Sequence, residues 1–510
     1  MTTTLLAPDA FVTLAQLDAD AQASHPALAD RPWAYVGAAV VQHAQLRDAL
    51  GDAADDAIAR LTERTQWLSA LSGDIAPYET ADGVVADPLL AGLRHACDRL
   101  GEDAVLLTED ESLLAAIPQA ARLSDCRPDD TAKPLDFLDL KTQQRLIRDE
   151  IETRLTQVLH HGRYVLGPEM VEMETRLAEY VGVEHCISVA SGTDALVIAL
   201  MALEIGPGDE VITTPYTWIS TAEAVSLVGA TPVFVDIDEQ TFNIDPGLIE
   251  AAITPRTKAI MPVSLYGQCA ETETINAIAE AHGLPVIEDA AQSFGATRHG
   301  GRSGGLTTIG TTSFFPSKPL GGYGDGGATF TNDAALAERM QQIRVHGQKK
   351  KHEHPILGLN GRMDTMQAAV VLAKLGLFDD ECKARRTVAA RYEHLFREAG
   401  LDGIACPAIA AGNESVYAQY TIRCEQPDSL RDGLASEGIP SVSYYIVPVP
   451  FQAVYAELGH RPGDFPVCER VAVQCLSLPM SPYLDAADQR RVVDAIAAVQ
   501  QARGSFRQAA

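Results

Sequence analysis

The sequence predicts an α/β protein built on a large, mostly parallel sheet with helices on both faces, followed by a smaller α+β region. Three observations predict this. Between residues 185 and 290, short apolar runs rich in β-branched residues alternate with helix-like runs, and that alternation is the mark of strands joined by helical crossovers. After about residue 380 the pattern changes to long helical stretches with scattered strands such as VYAQYTIRC (416–424). Ahead of both, the polar, proline-containing segment CRPDDTAKP (126–134) separates an Ala-, Asp- and Leu-rich region from the rest, as a linker would.

In order, the alternation runs HCISVA then DALVIALMAL, DEVITT then STAEAVSLVG, TPVFVDI, KAIMPVSL then ETINAIAEAHG, and LPVIEDA. The resulting domains are 1–130, an extra N-terminal α/β accessory domain of unknown role; 135–380, the large sheet domain; and 381–508, the small C-terminal domain. Length supports such a division, since 510 residues exceed one ordinary domain. A composition of 46% hydrophobic and 21% charged residues is that of a folding chain with a sizeable core.

A formal charge of −29 argues against nucleic acid as a partner, because phosphate binding rests on clustered Lys and Arg; an anionic substrate then needs a local basic pocket. Nine cysteines, an odd number without a CxxC pair, predict reduced and mostly buried thiols rather than disulfides or a metal site. No stretch reaches the roughly 20 apolar residues of a membrane span, and MTTTLLAPDA lacks the basic start of a signal peptide, so the expected location is the cytoplasm.

In a parallel sheet ligands sit beyond the carboxyl ends of the strands, and the residues there are chemically loaded. ASGTDALVIAL (190–200) turns from strand to helix at Ser191-Gly192-Thr193-Asp194, where free amides and the positive helix end suit a phosphate; alone, it reads as an ordinary cap by Thr193 or Asp194. PVIEDAAQSFGA (285–296) ends a buried strand in Glu288 and Asp289. A carboxylate there suits a protonated pyridine nitrogen, although alone it reads as a cap or a solvated acid.

TTSFFPSKPLGGYGDGGATF (311–330) places Lys318 between an aromatic strand and Gly321, Gly322, Gly324, Gly326 and Gly327. The glycines let backbone approach a ligand, and desolvation beside the aromatics lowers a lysine toward a nucleophilic amine. Ser313 offers a hydroxyl to a phosphate, and Trp218 in TPYTWISTAEAV is either a flat surface for an aromatic ring or a core residue.

At these residues the chain resembles the DegT/DnrJ/EryC1/StrS sugar aminotransferases, which use pyridoxal 5'-phosphate on the aspartate-aminotransferase-like fold, fold type I. The likeness runs from about Leu135 to about Val499. FLDLKTQ, RYVLGPE, SGTDAL, GPGDEVIT, PVFVDID, PVSLYGQ, VIEDAAQSFGA, SFFPSKPLGGYGDGG, RVHG, NGRMDTMQAA and LSLPM occur in family order. The resemblance implies Lys318 as the Schiff-base lysine and Asp289 as partner of the pyridine nitrogen. Gln292 lies near the 3-hydroxyl, Thr193, Ser313 and the Asp194 amide hold the phosphate, and Trp218 stacks on the ring. It also implies a homodimer with shared active sites, in which Asn360 reaches the neighbouring subunit's phosphate and Arg362 meets a sugar carboxylate.

Within the family, ITPRTKAIMPVSLYGQCA, TTSFFPSKPLG and SVYAQYTIR resemble the transaminases that make UDP-2-acetamido-3-amino-2,3-dideoxyglucuronic acid from the 3-keto sugar, with L-glutamate as donor, for lipopolysaccharide or another surface polysaccharide. Tyr444 is a sugar-binding candidate. Ser443 and Ser481 stand where relatives often carry His, which bears on the sugar pocket. The alternatives are amination at C4 of a 4-keto-6-deoxy sugar and a non-catalytic ligand-binding regulator; the dehydratase branch is disfavoured because it has His in place of Lys318. In the N-terminal region, GEDAVLLTEDESLLAA (101–116) reads as strand, turn and helix and ADPLLAGLRHACDRL (86–100) as a helix. Together they faintly resemble the latter half of a PIN-type nuclease domain, but the only first-strand acid on offer is Asp9, so an accessory domain is the preferred reading, with Asp87 as a helix cap and Asp110 as a surface acid.

Overall fold

In the computed structural model the described residues are 135–509, with side chains to 501, together with three short strands nearer the N-terminus. The chain divides into two units, Met1–Lys133 and Pro134–Ala510. In the first, β1 (Thr3–Leu6), β2 (Ala104–Thr108) and β3 (Ala120–Arg122) pair in parallel in the order β1-β2-β3. The strand expected within GEDAVLLTEDESLLAA is β2; the helix expected over 86–100, the linker 126–134, Cys97, Cys126, Asp9, Asp87 and Asp110 lie outside the described residues.

The second unit opens with three helices, α1 (Leu140–Leu146), α2 (Arg148–His161) and α3 (Pro168–Val181). Strands and helices then alternate: β4 (His185–Val189), α4 (Gly192–Ala202), β5 (Glu210–Thr213), α5 (Ser220–Leu227), β6 (Thr231–Phe234), α6 (Pro246–Ala252), β7 (Thr257–Met261), α7 (Thr272–Ala281) and β8 (Ile287–Asp289). After the short β9 (Thr297–Arg298) and β10 (Gly301–Arg302) come β11 (Ile309–Ser313), β12 (Gly327–Thr331), α8 (Ala334–Arg344) and α9 (Thr365–Leu375). One group of strands runs β4-β12-β11-β8 and another β6-β5-β7. Parallel bridges Ile260↔Val286 and Val263↔Asp289 join them into one sheet, in which β12 alone runs antiparallel to its neighbours.

The strands read as continuous apolar runs because both faces are covered. Alternation along β4 sends Cys186 into a core with Met173, Leu177, Phe314 and Phe330, and sends Ile187 and Val189 into a second core beneath α4. Helix α4 is apolar nearly all round, with Ala195, Leu196, Ile198, Ala199 and Leu200 buried, as befits a helix enclosed between the sheet and its neighbours.

Helix α10 (Phe378–Ala399) joins two cores. Phe378 and Cys382 pack in the large-domain core, whereas Val388, Tyr392, Leu395 and Phe396 pack in the small domain. The boundary expected at 380/381 therefore falls inside one helix. The small domain holds an antiparallel sheet, β13 (Ile404–Ala405), β15 (Tyr420–Cys424) and β16 (Cys475–Leu478) in the order β13-β15-β16, against α11 (Pro427–Ser436) and α13 (Ala486–Ala509). A short strand β14 (Asn413–Glu414) pairs with β9, and α12 (Pro466–Ala472) precedes β16. The seven described cysteines are free thiols, all buried except the half-buried Cys406. Among the described residues no helix is long and apolar enough to cross a membrane.

Candidate active site

The carboxyl ends of β4, β5, β8 and β11 lie at one edge of the sheet, and Thr193, Asp194, Trp218, Asp289, Gln292 and Ser313 follow or end those strands. After β4 the chain turns into α4 with Ser191 as cap: its hydroxyl oxygen accepts from the Asp194 amide at 3.0 Å and donates to the Asp194 carboxylate at 3.0 Å. The cap is thus Ser191 rather than Thr193 or Asp194, and the Asp194 amide expected to face a phosphate is engaged by it. The Thr193 hydroxyl has no protein partner among the described residues. Ser313, at the end of β11, comes so close that a Cβ on Gly192 would lie 2.6 Å from the Ser313 Cβ. Only glycine permits that approach, which brings two loops together into one cradle.

Asp289 ends β8, with Thr311 and Val263 beside it in register. It is buried; Oδ2 accepts from the Thr221 hydroxyl at 2.9 Å and Oδ1 from the Ala291 amide at 3.2 Å. Burial raises its pKa above the ordinary carboxylate value, while the Thr221 hydroxyl, the Ala291 amide and the charge on Lys318 push back. Lys318 follows the turn closed by its own N–H to the Phe315 carbonyl at 2.9 Å. Its side chain is half-buried, yet enough protein surrounds the amine to lower its pKa, with Asp289 pushing the other way. A carboxylate of raised pKa and an amine of lowered pKa therefore lie within each other's field, the pairing of opposed shifts that marks functional groups.

Glu288 faces the opposite side of β8, as strand alternation requires. It accepts from the Ser264 and Ser303 hydroxyls at 2.7 Å each and from the Gly304 amide at 2.8 Å, a closed structural role.

Gln292 is buried; its Oε1 accepts from the Tyr266 amide at 2.9 Å and its Nε2 donates to the Tyr445 hydroxyl at 3.0 Å. Trp218 is 59% exposed, with its ring centre 6.2 Å from that of Tyr445. An indole this open is not a core residue, so the core alternative fails. Tyr444 is half-buried, and its carbonyl accepts from the Tyr266 hydroxyl at 2.7 Å and from the Tyr216 hydroxyl. On the same segment the enclosed Ser441 and Ser443 hydroxyls have no protein partner.

Asn360 and Arg362 follow a separate course. The Gly361 carbonyl accepts from the Ala190 amide at 2.9 Å, which ties this segment beside the phosphate turn, yet Asn360 is exposed and Arg362 forms no ion pair among the described residues. Ser481 is buried and accepts from the Tyr483 amide at 3.2 Å; it lines a cavity with Lys318, Lys374, Glu381 and Arg385. Thr221, Tyr266 and Tyr445 escaped the sequence reading. The signal for Thr221 was its position one turn after Trp218 at a strand end; the two tyrosines gave none.

These features suit a cofactor with an anionic phosphate and a flat, basic ring: a glycine cradle, a buried acid, an exposed indole and an amine of lowered pKa. Together with the sheet topology they define a pyridoxal-phosphate-dependent transaminase. The DegT/DnrJ/EryC1/StrS aminotransferase family model matches residues 145–497, and the chain belongs to that family. It is 52% identical over 362 residues to a UDP-2-acetamido-2-deoxy-3-oxo-D-glucuronate aminotransferase from Pseudomonas aeruginosa, covering 71% of this chain and 99% of that protein. A pleiotropic regulatory protein from Geobacillus stearothermophilus is 47% identical over 361 residues, covering 71% and 97% respectively. A crystal structure of ntda from Bacillus subtilis, with bound cofactor PMP, matches with a TM-score of 0.66 at 30% identity, covering 73% of this chain and 86% of that one.

Proposed function

We propose that the chain transfers the amino group of L-glutamate to the 3-keto carbon of UDP-2-acetamido-2-deoxy-3-keto-glucuronic acid, as a cytoplasmic homodimer with shared active sites, in surface-polysaccharide synthesis. The observation that carries the reading is the lowered Lys318 amine facing the buried Asp289 beside a glycine-built anion cradle.

Pyridoxal 5'-phosphate supplies an aldehyde for amine exchange and an electron-withdrawing ring that stabilises negative charge at the adjacent carbon. Lys318 would hold it covalently, Thr193 and Ser313 would bind its phosphate, Gln292 would lie at its 3-hydroxyl, and Trp218 would cover one face. Asp289, whose carboxylate accepts from the Thr221 hydroxyl and the Ala291 amide against the effect of burial, would keep the ring nitrogen protonated. Lys318 would serve as the group that moves a proton at the reacting carbons, a role that needs a neutral amine, and burial shifts its pKa in that direction.

Support for the substrate comes from the 52% identical relative and from Arg362, a guanidinium with no carboxylate partner among the described residues, which suits a bidentate sugar carboxylate. Exposed Asn360 and the exposed apolar residues Tyr164, Val165 and Leu357 support a subunit contact on this face. Incubation with glutamate and either the 3-keto uronic acid or a 4-keto-6-deoxy nucleotide sugar, followed by mass detection, tests the reading. Amination of the first is expected; amination of the second alone overturns the substrate assignment, and amination of neither overturns the activity.

A further inference from the structure

Lys374, near the end of α9, is 1% exposed, a rare setting for a lysine and one that demands hydrogen-bonding partners. Its Nζ donates to the Gly321 carbonyl at 2.7 Å and stands 4.9 Å from the centre of the Tyr323 ring. The charged and titratable groups around it are Glu381 and Arg385 on α10, Lys318 and Tyr323 on the loop between β11 and β12, Tyr483 before α13 and Asp139 at the start of α1. Burial lowers its pKa to about 8, and Glu381 opposes the shift. Glu381 itself accepts from Gln143 Nε2 at 2.8 Å and from the Tyr483 hydroxyl.

Gly321 is the link to the chemistry. A Cβ there would lie 2.6 Å from the Pro316 carbonyl oxygen and 2.7 Å from that of Phe315, so Gly321 rests directly on the turn that ends in Lys318. That turn is closed by the Lys318 amide, and the Gly322 amide donates to the Phe314 carbonyl at 2.7 Å. The buried ammonium thus holds Gly321, just after Lys318, in a loop that the Gly322 amide fastens to Phe314, just before it. Were Lys374 only filling space, methionine would serve as well without the cost of desolvating a charge.

We propose that Lys374 is a positioning residue for the reaction at Lys318: its clamp on the Gly321 carbonyl fixes the turn that presents the Lys318 amine to Asp289. The inference rests on Lys318 being the reactive amine. With the clamp gone the turn loosens, water reaches the amine, and the burial that lowers its pKa is relieved.

The test is Lys374→Met, read in cofactor-free protein by reductive methylation over a pH series with peptide mapping, and in the cofactor-loaded enzyme by kinetics. The methylation midpoint at Lys318 is expected to rise by about one pH unit while that of exposed Lys349 stays put. In kinetics kcat is expected to fall about tenfold or more, with KM for the keto sugar within about twofold. A folded variant with native midpoint and native kcat overturns the proposal. Should methionine not fold, Lys374→Gln, which lacks the charge and the reach, carries the same expectation and the same refutation. Borohydride trapping of the cofactor in the unsubstituted protein separates the two claims: a label away from Lys318 sinks the functional reading, whereas a label on Lys318 with an unmoved midpoint sinks only this one.

Discussion

Thr221→Val removes one hydroxyl from the site and leaves its shape. The Thr221 hydroxyl donates to Asp289 Oδ2 at 2.9 Å, with both residues buried. A hydrogen bond to a charged group contributes about 1.5–3 kcal/mol, and one pKa unit corresponds to about 1.4 kcal/mol. Losing it should raise the Asp289 pKa, already pushed up by burial, by about one to two units. The ionised form loses its donor, so at a given pH less of Asp289 is charged. The acid limb of kcat/KM should accordingly move about one unit or more to higher pH, with the alkaline limb in place. An acid whose folded pKa exceeds its unfolded value lowers stability above the unfolded pKa, so the variant should also melt somewhat lower at neutral pH. The assay is the pH profile of amino-sugar formation, with thermal melting as control. A folded variant whose acid limb coincides with that of the native enzyme refutes the assignment of Asp289.

Trp218→Ala should leave melting nearly unchanged, because the indole is 59% exposed, but weaken cofactor retention about two- to tenfold in equilibrium dialysis, since ring stacking is worth about 0.5–1.5 kcal/mol. Gly192→Ala forces a methyl to within 2.6 Å of the Ser313 Cβ; we expect a stability loss of about 1–3 kcal/mol by denaturant unfolding and poor cofactor retention. Glu273 is held at about 2 by Arg298, below its ordinary 4.5. A depressed acid stabilises the fold above its unfolded pKa, and that stability is lost as pH falls through the folded one. Arg298→Leu should therefore cost about 1 kcal/mol near neutrality, the half-exposed carboxylate discounted for screening, and the deficit should shrink in melts below about pH 4.

Strand and helix alternation from HCISVA to LPVIEDA was legible because each segment's burial is written into its apolar pattern, and candidates such as Asp194 and Asp289 could be named because they end or follow those strands. Long-range pairing was not. Gln292 could be named from its motif, but its partner Tyr445 lies 153 residues away, brought in by the small domain's packing. Lys374 looked like any helix lysine, since nothing local says that Gly321 will cover it. The cap at Ser191 rather than Thr193 shows how a turn of small polar residues leaves its hydrogen bonds to geometry. The division near residue 380 was drawn where composition changed, whereas α10 runs unbroken from one core into the next.

The assignment of Lys318 is tested most directly by loading the protein with pyridoxal 5'-phosphate, reducing with borohydride and mapping the labelled peptide. The account predicts one pyridoxyl group on Lys318, lost in Lys318→Ala. A label on any other lysine, or none on the native protein, contradicts it.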